Sequence, residues 1–150
     1  MNIPEQFKFE QNFEDDAVGM LAMNGFDAVK ARHTNSIKSG VIQVMFESGE
    51  GIADDAKFVN GKREFLAFRG TLSFLVVSNR LLDNTHTDSI ALIRHLMLNS
   101  SETLDSPFYR IHDIQPSMTS FHHDEEDNLD FTTLVFNIIF GISDTTTIGG

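Results

Sequence analysis

The chain has no cysteine, no tryptophan, a single tyrosine and three prolines, and its basic residues number half its acidic ones. Without cysteine there is no disulfide, no zinc-thiolate centre and no thiol nucleophile, a usage compatible with a reducing compartment. With 11 Lys and Arg against 22 Asp and Glu, the formal charge is −11. Proteins that grip nucleic acid neutralise phosphates with Lys and Arg, so this balance argues against a tightly held DNA or RNA. It leaves room for a surface that nucleic acid merely passes, where like charge prevents sticking. No apolar run approaches the roughly 18 residues of a membrane span. The N-terminal MNIPEQFKFEQ lacks the basic-then-apolar order of a secretory signal. The expectation is a soluble protein that does not use the general secretory route.

What is present fits one ordinary domain. A chain of 150 residues with 41% apolar content has enough to bury a core and too little for two domains. A single domain over 1–150 is therefore expected, with ends (1–8 and 143–150) that are flexible or ordered only on assembly. The 14 phenylalanines fill volume without needing a hydrogen-bond partner, which points to thick apolar contacts in a core or a subunit interface.

Within 5–23, Phe9, Phe13, Ala17, Met20 and Leu21 recur at helical intervals, and Asn24-Gly25 supplies the left-handed residue that commonly ends a helix. Phe26 to His33 alternates weakly, as a short strand would. After Gly40, VIQVMFE predicts a strand at 41–47. The polar segment SGEGIADDA (48–56) reads as a loop, and Asn60-Gly61 lies between two extended runs as a hairpin turn. The strand leaving that turn continues to GTLSFLVVS (70–78), whose two apolar faces mark it as central. A second helix begins at Thr85, with Thr85 as cap and Asp88 in the capping-box position. His86, Ile90, Ile93 and Met97 form its stripe beside Leu96, and Asn99-Ser100-Ser101 closes it. Residues 109–121 read as extended, with Pro116 implying an edge or a bulge. Thr132, Leu134, Phe136, Ile138, Phe140 and Ile142 alternate along a last strand. The predicted class is α+β: a mostly antiparallel sheet with two helices on one face, in the order α-β-β-β-β-α-β-β.

The stretch FHHDEEDNLDF (121–131) holds the most conspicuous chemistry. His122, His123, Asp124 and Glu126 are all candidate ligands for Zn²⁺, Mn²⁺ or Mg²⁺. Adjacent histidines on a strand point to opposite faces, however, and the acids lack the pattern of a calcium loop. The favoured reading is a charged turn joining the last two strands. No catalytic residue is assigned. Carboxylate catalysis needs one acid in an apolar pocket, and no G-x-S-x-G elbow exists. The histidines at 33, 86, 95, 112, 122 and 123 are scattered, with His86 and His95 expected to face solvent or cap the helix. SGEGIADD matches no phosphate-binding loop, and no cofactor is expected. Arg80, in VVSNRLLDNTHTD, reads more readily as an internal ion-pair partner than as a receptor for a partner's carboxylate. Arg80 and Arg94 are the candidate interface cations.

The succession GTLSFLVVSNRL, HTDSIALIRHLM, FYRIHDIQP, an acidic turn and LDFTTLVFNIIFGI resembles the tail-completion and tail-terminator group of tailed bacteriophages, over roughly residues 62–142. That resemblance implies a non-enzymatic virion component, a head-tail connector or neck protein that joins head to tail or ends the tail tube. Its partners would be copies of itself in a closed ring, often a hexamer, together with neighbouring neck, connector or tail-tube proteins. DNA would only pass through. It would assemble in the host cytoplasm, touch no membrane, and present Asp124, Glu125, Glu126 and Asp127 to the lumen or to an adjoining ring. Two other classes remain open at this point: a metal-binding domain or metal-dependent enzyme built on 122–127, and a small α+β domain that takes a ligand or partner peptide at a sheet edge.

Overall fold

The computed structural model describes residues 2–51, 57–59, 62–80, 84–99, 104 and 106–143. The turn expected at Asn60-Gly61, residues 52–56 of the expected loop 48–56, the helix end at Ser100 and Ser101 and the tail 144–150 lie outside these; residues 48–51, expected in that loop, instead continue the strand begun at Val41 and pair with 68–70. A single 3₁₀ turn (Glu5–Phe7) precedes α1 (Phe9–Met23). Phe26 N–H reaches back to the Leu21 carbonyl (3.0 Å) and Gly25 N–H to that of Ala22 (3.2 Å), with Gly25 at φ +85°. This is the glycine-dependent helix stop predicted at Asn24-Gly25. There follow β1 (Asp27–Lys30), a 3₁₀ turn (Ala31–His33), β2 (Val41–Gly51), β3 (Lys57–Val59), β4 (Lys62–Asn79), α2 (Thr85–Leu98), β5 (Arg110–Asp124) and β6 (Leu129–Ser143). Class and element order are those expected from the sequence. Among the described residues no helix is long and apolar enough to cross a membrane.

The start of α2 departs from expectation. Asn84, not Thr85, occupies the cap position, and its side chain makes no cap hydrogen bond. The nearby hydroxyls turn backwards instead: Thr87 Oγ1 donates to the Asn84 carbonyl (3.0 Å) and Ser89 Oγ to that of Thr85 (2.9 Å). Such back-bonding competes with capping.

The strands form one six-stranded sheet in the order β1-β2-β4-β6-β5, with β3 also on β4. Only β1 and β2 are parallel; the other pairs are antiparallel. The doubly apolar β4 is central, as its sequence predicts, and β6 matches it without interruption from Phe65↔Ser143 to Asn79↔Leu129. β5 is an edge strand whose register breaks between Ile111 and Asp113 and again between Pro116 and Met118, which bears out the reading of Pro116.

Both helices lie on one face of the sheet. Alternation puts Ile42, Val44 and Phe46 of β2, Leu72, Phe74 and Val76 of β4, and Leu134 to Ile142 at even positions of β6 beneath them, all buried. Phe13 of α1 is clasped between the Phe46 ring (4.6 Å, 6° between planes) and the Tyr109 ring (3.9 Å, 9°), while Phe140 meets it edge-on (4.9 Å). Aromatic pairs of this kind add about 0.5–1.5 kcal/mol each beyond area burial. The Tyr109 hydroxyl completes the clasp by donating to Asp16 Oδ2 (2.7 Å). Phe13, Phe46, Phe74, Phe136 and Phe140 are buried in the core and Phe9, Phe26 and Phe68 pack against it, whereas Phe7 and Phe121 are exposed.

Side chains finish β2 where β1 stops. Lys30, the last residue of β1, pairs with Val44. Two residues on, the buried Glu14 carboxylate accepts the Phe46 N–H (2.9 Å), and Arg32 Nη2 donates to the Phe46 carbonyl (3.2 Å). Arg32 also grips Glu14 through Nε (2.9 Å) and Nη2 (2.6 Å). Nearby, Lys30 pairs with Asp15.

Candidate functional site

Because Asn79 lies opposite Leu129, the strand ends β4 and β6 meet at one end of the sheet and bring Ser78, Arg80, Asp130 and Thr132 together. β5 adds His123 and α2 adds His86. Asp130 is the hub: its Oδ1 accepts from Arg80 Nη2 (3.0 Å) and Nε (3.2 Å) and lies 2.7 Å from His123 Nδ1. Burial alone would raise the Asp130 carboxyl, but hydrogen bonds and charge from Arg80 and His123 outweigh it and hold the group below its ordinary value. Arg80 also donates its backbone N–H to the Asn128 carbonyl (3.0 Å), anchoring the turn between β5 and β6.

His86 sits beside this hub, half-buried. Its Nδ1 is 2.9 Å from Ser78 Oγ and its Nε2 2.8 Å from Thr132 Oγ1. Either neutral tautomer satisfies both contacts, since a hydroxyl donates to the bare nitrogen and accepts from the protonated one. The Phe121 ring stands edge-on to the imidazole at 6.3 Å. A small hollow of about 200 Å³ opens here, lined by Ser78, Asn84, His86, Phe121 and Asp130 among others. A hydroxyl beside an imidazole is the start of a nucleophile–base pair. The second ring nitrogen of such a pair is normally oriented by a carboxylate; here a threonine hydroxyl takes that place, and Asp130 is engaged by Arg80 and His123. The geometry ties α2 to β4 and β6.

The candidate ligands of 122–127 do not converge. His122 lies on the helix-free face, opposite Phe131 (rings 6.1 Å apart), while His123 turns the other way to Asp130. Asp124 Oδ1 accepts the Glu126 N–H (3.1 Å), and the chain reverses through Asn128 at φ +53°. Glu125, Glu126 and Asp127 are exposed at the tip of the turn. Among the described residues, no group of three or more His, Asp or Glu side chains is placed to hold a metal ion. Arg80 is an internal ion-pair partner, as the sequence favoured, and the exposed Arg94 of α2 reaches Thr119 Oγ1 (3.3 Å). His86 overturns its expectation: it neither faces solvent nor caps the helix. Its place in the apolar stripe of α2 was the available signal, because that stripe faces the core.

The helix-free face is itself two-sided. Rows across β2, β4, β6 and β5 run Gln43-Leu75-Thr133-Ser120, then Met45-Ser73-Val135-Met118, then Glu47-Thr71-Asn137-Gln115, with Arg69-Ile139-Asp113 last. Apolar side chains dominate the end that also carries half-buried Phe131 and its fully buried neighbour Val77. The opposite end is a hollow of about 530 Å³ that sets Ile139 among Glu47, Arg69, Asp113, Gln115 and Asn137. Arg69 is exposed and has no ion-pair partner among the described residues. Compared with known proteins, the chain matches no family model and no curated sequence.

Proposed function

We propose that the protein is a structural virion subunit of a tailed phage, forming a closed ring at the neck or tail end that joins head to tail or terminates the tail tube. The observation that carries this reading is the helix-free sheet face. All the helical cover lies on the other side, and Met45, Leu75 and Val135 are left half-buried or exposed among the neutral polar residues Gln43, Ser73, Thr133 and Ser120. A face of that composition suits burial against another protein surface better than permanent solvation. Ring closure requires two different complementary surfaces related by rotation, and the polar and apolar ends of this face supply unlike patches. The charge of −11 and the acidic turn Asp124–Asp127 suit a lumen wall along which DNA slides without binding.

The test is mass. Light scattering should find an assembly of about six 16.8 kDa chains, alone or on isolated tails or necks. Met45→Glu, on the open face and 36% exposed, should abolish the ring while leaving the melting temperature unchanged. A chain that gives no ring alone, on necks or on tails would remove the proposal.

A further inference from the structure

The two edges of the sheet are finished differently. On one side the outer strand β1 is four residues long, and beyond it Glu14 and Arg32 take up the N–H and C=O of Phe46. On the other side β5 runs for 15 residues, on the order of 50 Å at about 3.4 Å per residue. A long edge presents a row of unpaired backbone donors and acceptors, which natural sheets blunt with prolines, bulges or charges. The first half of β5 is blunted in this way, by two register breaks, Arg110, Asp113 and Pro116.

The second half is not. MTSFHH (Met118–His123) pairs with β6 in unbroken register and contains no Pro, Gly, Asp, Glu, Lys or Arg. Among the described residues, no backbone group outside β6 bonds to it. Its two large apolar side chains, Met118 and Phe121, stand on opposite faces of the sheet and are each 58% exposed.

We propose that Met118–His123 is a strand-addition site whose occupant is the same segment of a second copy, antiparallel about a twofold axis near Ser120. Two arguments select this occupant. The β1 side offers only a four-residue outer strand, so the long open edge finds its best match in the same edge of another copy, and such like-to-like contacts close as dimers. The strand also gathers acids at one end: it finishes at Asp124, with Glu125, Glu126 and Asp127 just beyond. Antiparallel pairing about Ser120 sets Asp124 opposite Pro116 of the second copy and keeps the two acidic turns at opposite ends of the paired strands, whereas parallel pairing would stack acid on acid. On the helical face Phe121 would then lie diagonally across from its symmetry mate, within aromatic reach. This contact goes beyond the ring proposal and uses a different surface.

A chain without cysteine makes the test clean. Ser120→Cys would carry the only thiol, and mild oxidation should convert most of the protein to a disulfide-linked dimer. Met118→Cys and His122→Cys, on the same face, cover a shift of two residues along the strand. Glu126→Cys, at the turn tip, should stay unlinked. In sedimentation, the unmodified chain should dimerise, and Phe121→Lys should weaken dimerisation roughly tenfold while the circular dichroism stays native. A monomer in which none of the three strand cysteines cross-links overturns the inference. So does a dimer that cross-links only through Met45→Cys on the open face, or a monomer whose β5 edge takes up a strand from a different protein. Dimers linked at Ser120 in a chain that never forms rings would leave this inference standing and remove the ring.

Discussion

Glu14 is a buried carboxylate held by one arginine and one backbone N–H. Removing one partner of such a pair leaves a charge out of water without compensation, at a cost of several kcal/mol. Arg32 is itself half-exposed, so Arg32→Ala should destabilise by about 3 kcal/mol, toward the lower end of that range. Chemical denaturation checks this, and a loss below about 0.5 kcal/mol, the level of an ordinary surface change, would count against it. Neither residue announces its role in the sequence. Glu14 is one of several acids along α1, and its partner follows 18 positions later across a chain reversal. His86 is a second non-local case. Burial lowers it below its ordinary 6.5, against the opposing pull of Asp130. The folded state thus binds this proton less readily than the unfolded chain. The contribution of neutral His86 to stability is full above pH 6.5 and is lost as the pH falls below it. His86→Gln keeps one donor and one acceptor for Ser78 and Thr132 but cannot titrate. It should flatten the fall in melting temperature between about pH 7 and pH 5, and an unchanged slope would assign the acid sensitivity to other groups.

At the scale of elements, glycine decides one close approach. A Cβ at Gly70 would run into the Phe46 ring and come within 2.9 Å of the Glu47 carbonyl oxygen, forcing β2 and β4 apart. Gly70→Ala should therefore cost about 2–3 kcal/mol, the upper part of the overpacking range, because one of the atoms met is backbone and the other a core ring. Gly25→Ala is its contrast: nothing lies within 4 Å, and the penalty comes only from φ +85°, about 1 kcal/mol. Equal losses in thermal melts of the two variants would contradict this account. The elements themselves were legible wherever one face is buried. Period-two alternation from Thr132 to Ile142 and the stripe Ile90-Ile93-Met97 each report a single buried side. Pro116 marked its edge strand because it can donate no ladder hydrogen bond. What stayed hidden was pairing between distant segments. The parallel union of β1 with β2 rests on four weakly alternating residues. The assembly of Ser78, His86, Asp130 and Thr132 follows from the β4–β6 register, which no local window contains.

At the scale of the whole molecule, the architecture is one-sided: two helices, one aromatic core and a sheet face left open. Nothing at the residue scale in 122–127 builds a shared chemical centre. The turn projects acids at the end of the β5–β6 hairpin, and its meaning depends on what stands opposite in an assembly. The mass and cross-linking measurements therefore address this scale, and they separate the two surfaces on which assembly would rest. The clasp around Phe13 has a further consequence, an optical one. With no tryptophan and one tyrosine, nearly all near-ultraviolet emission of the chain comes from Tyr109. Its ring is stacked on α1 and its hydroxyl is tethered to Asp16 of that helix. The protein thus carries a single native fluorophore at the seam between helix and sheet, and its emission follows the closing of that seam without any label.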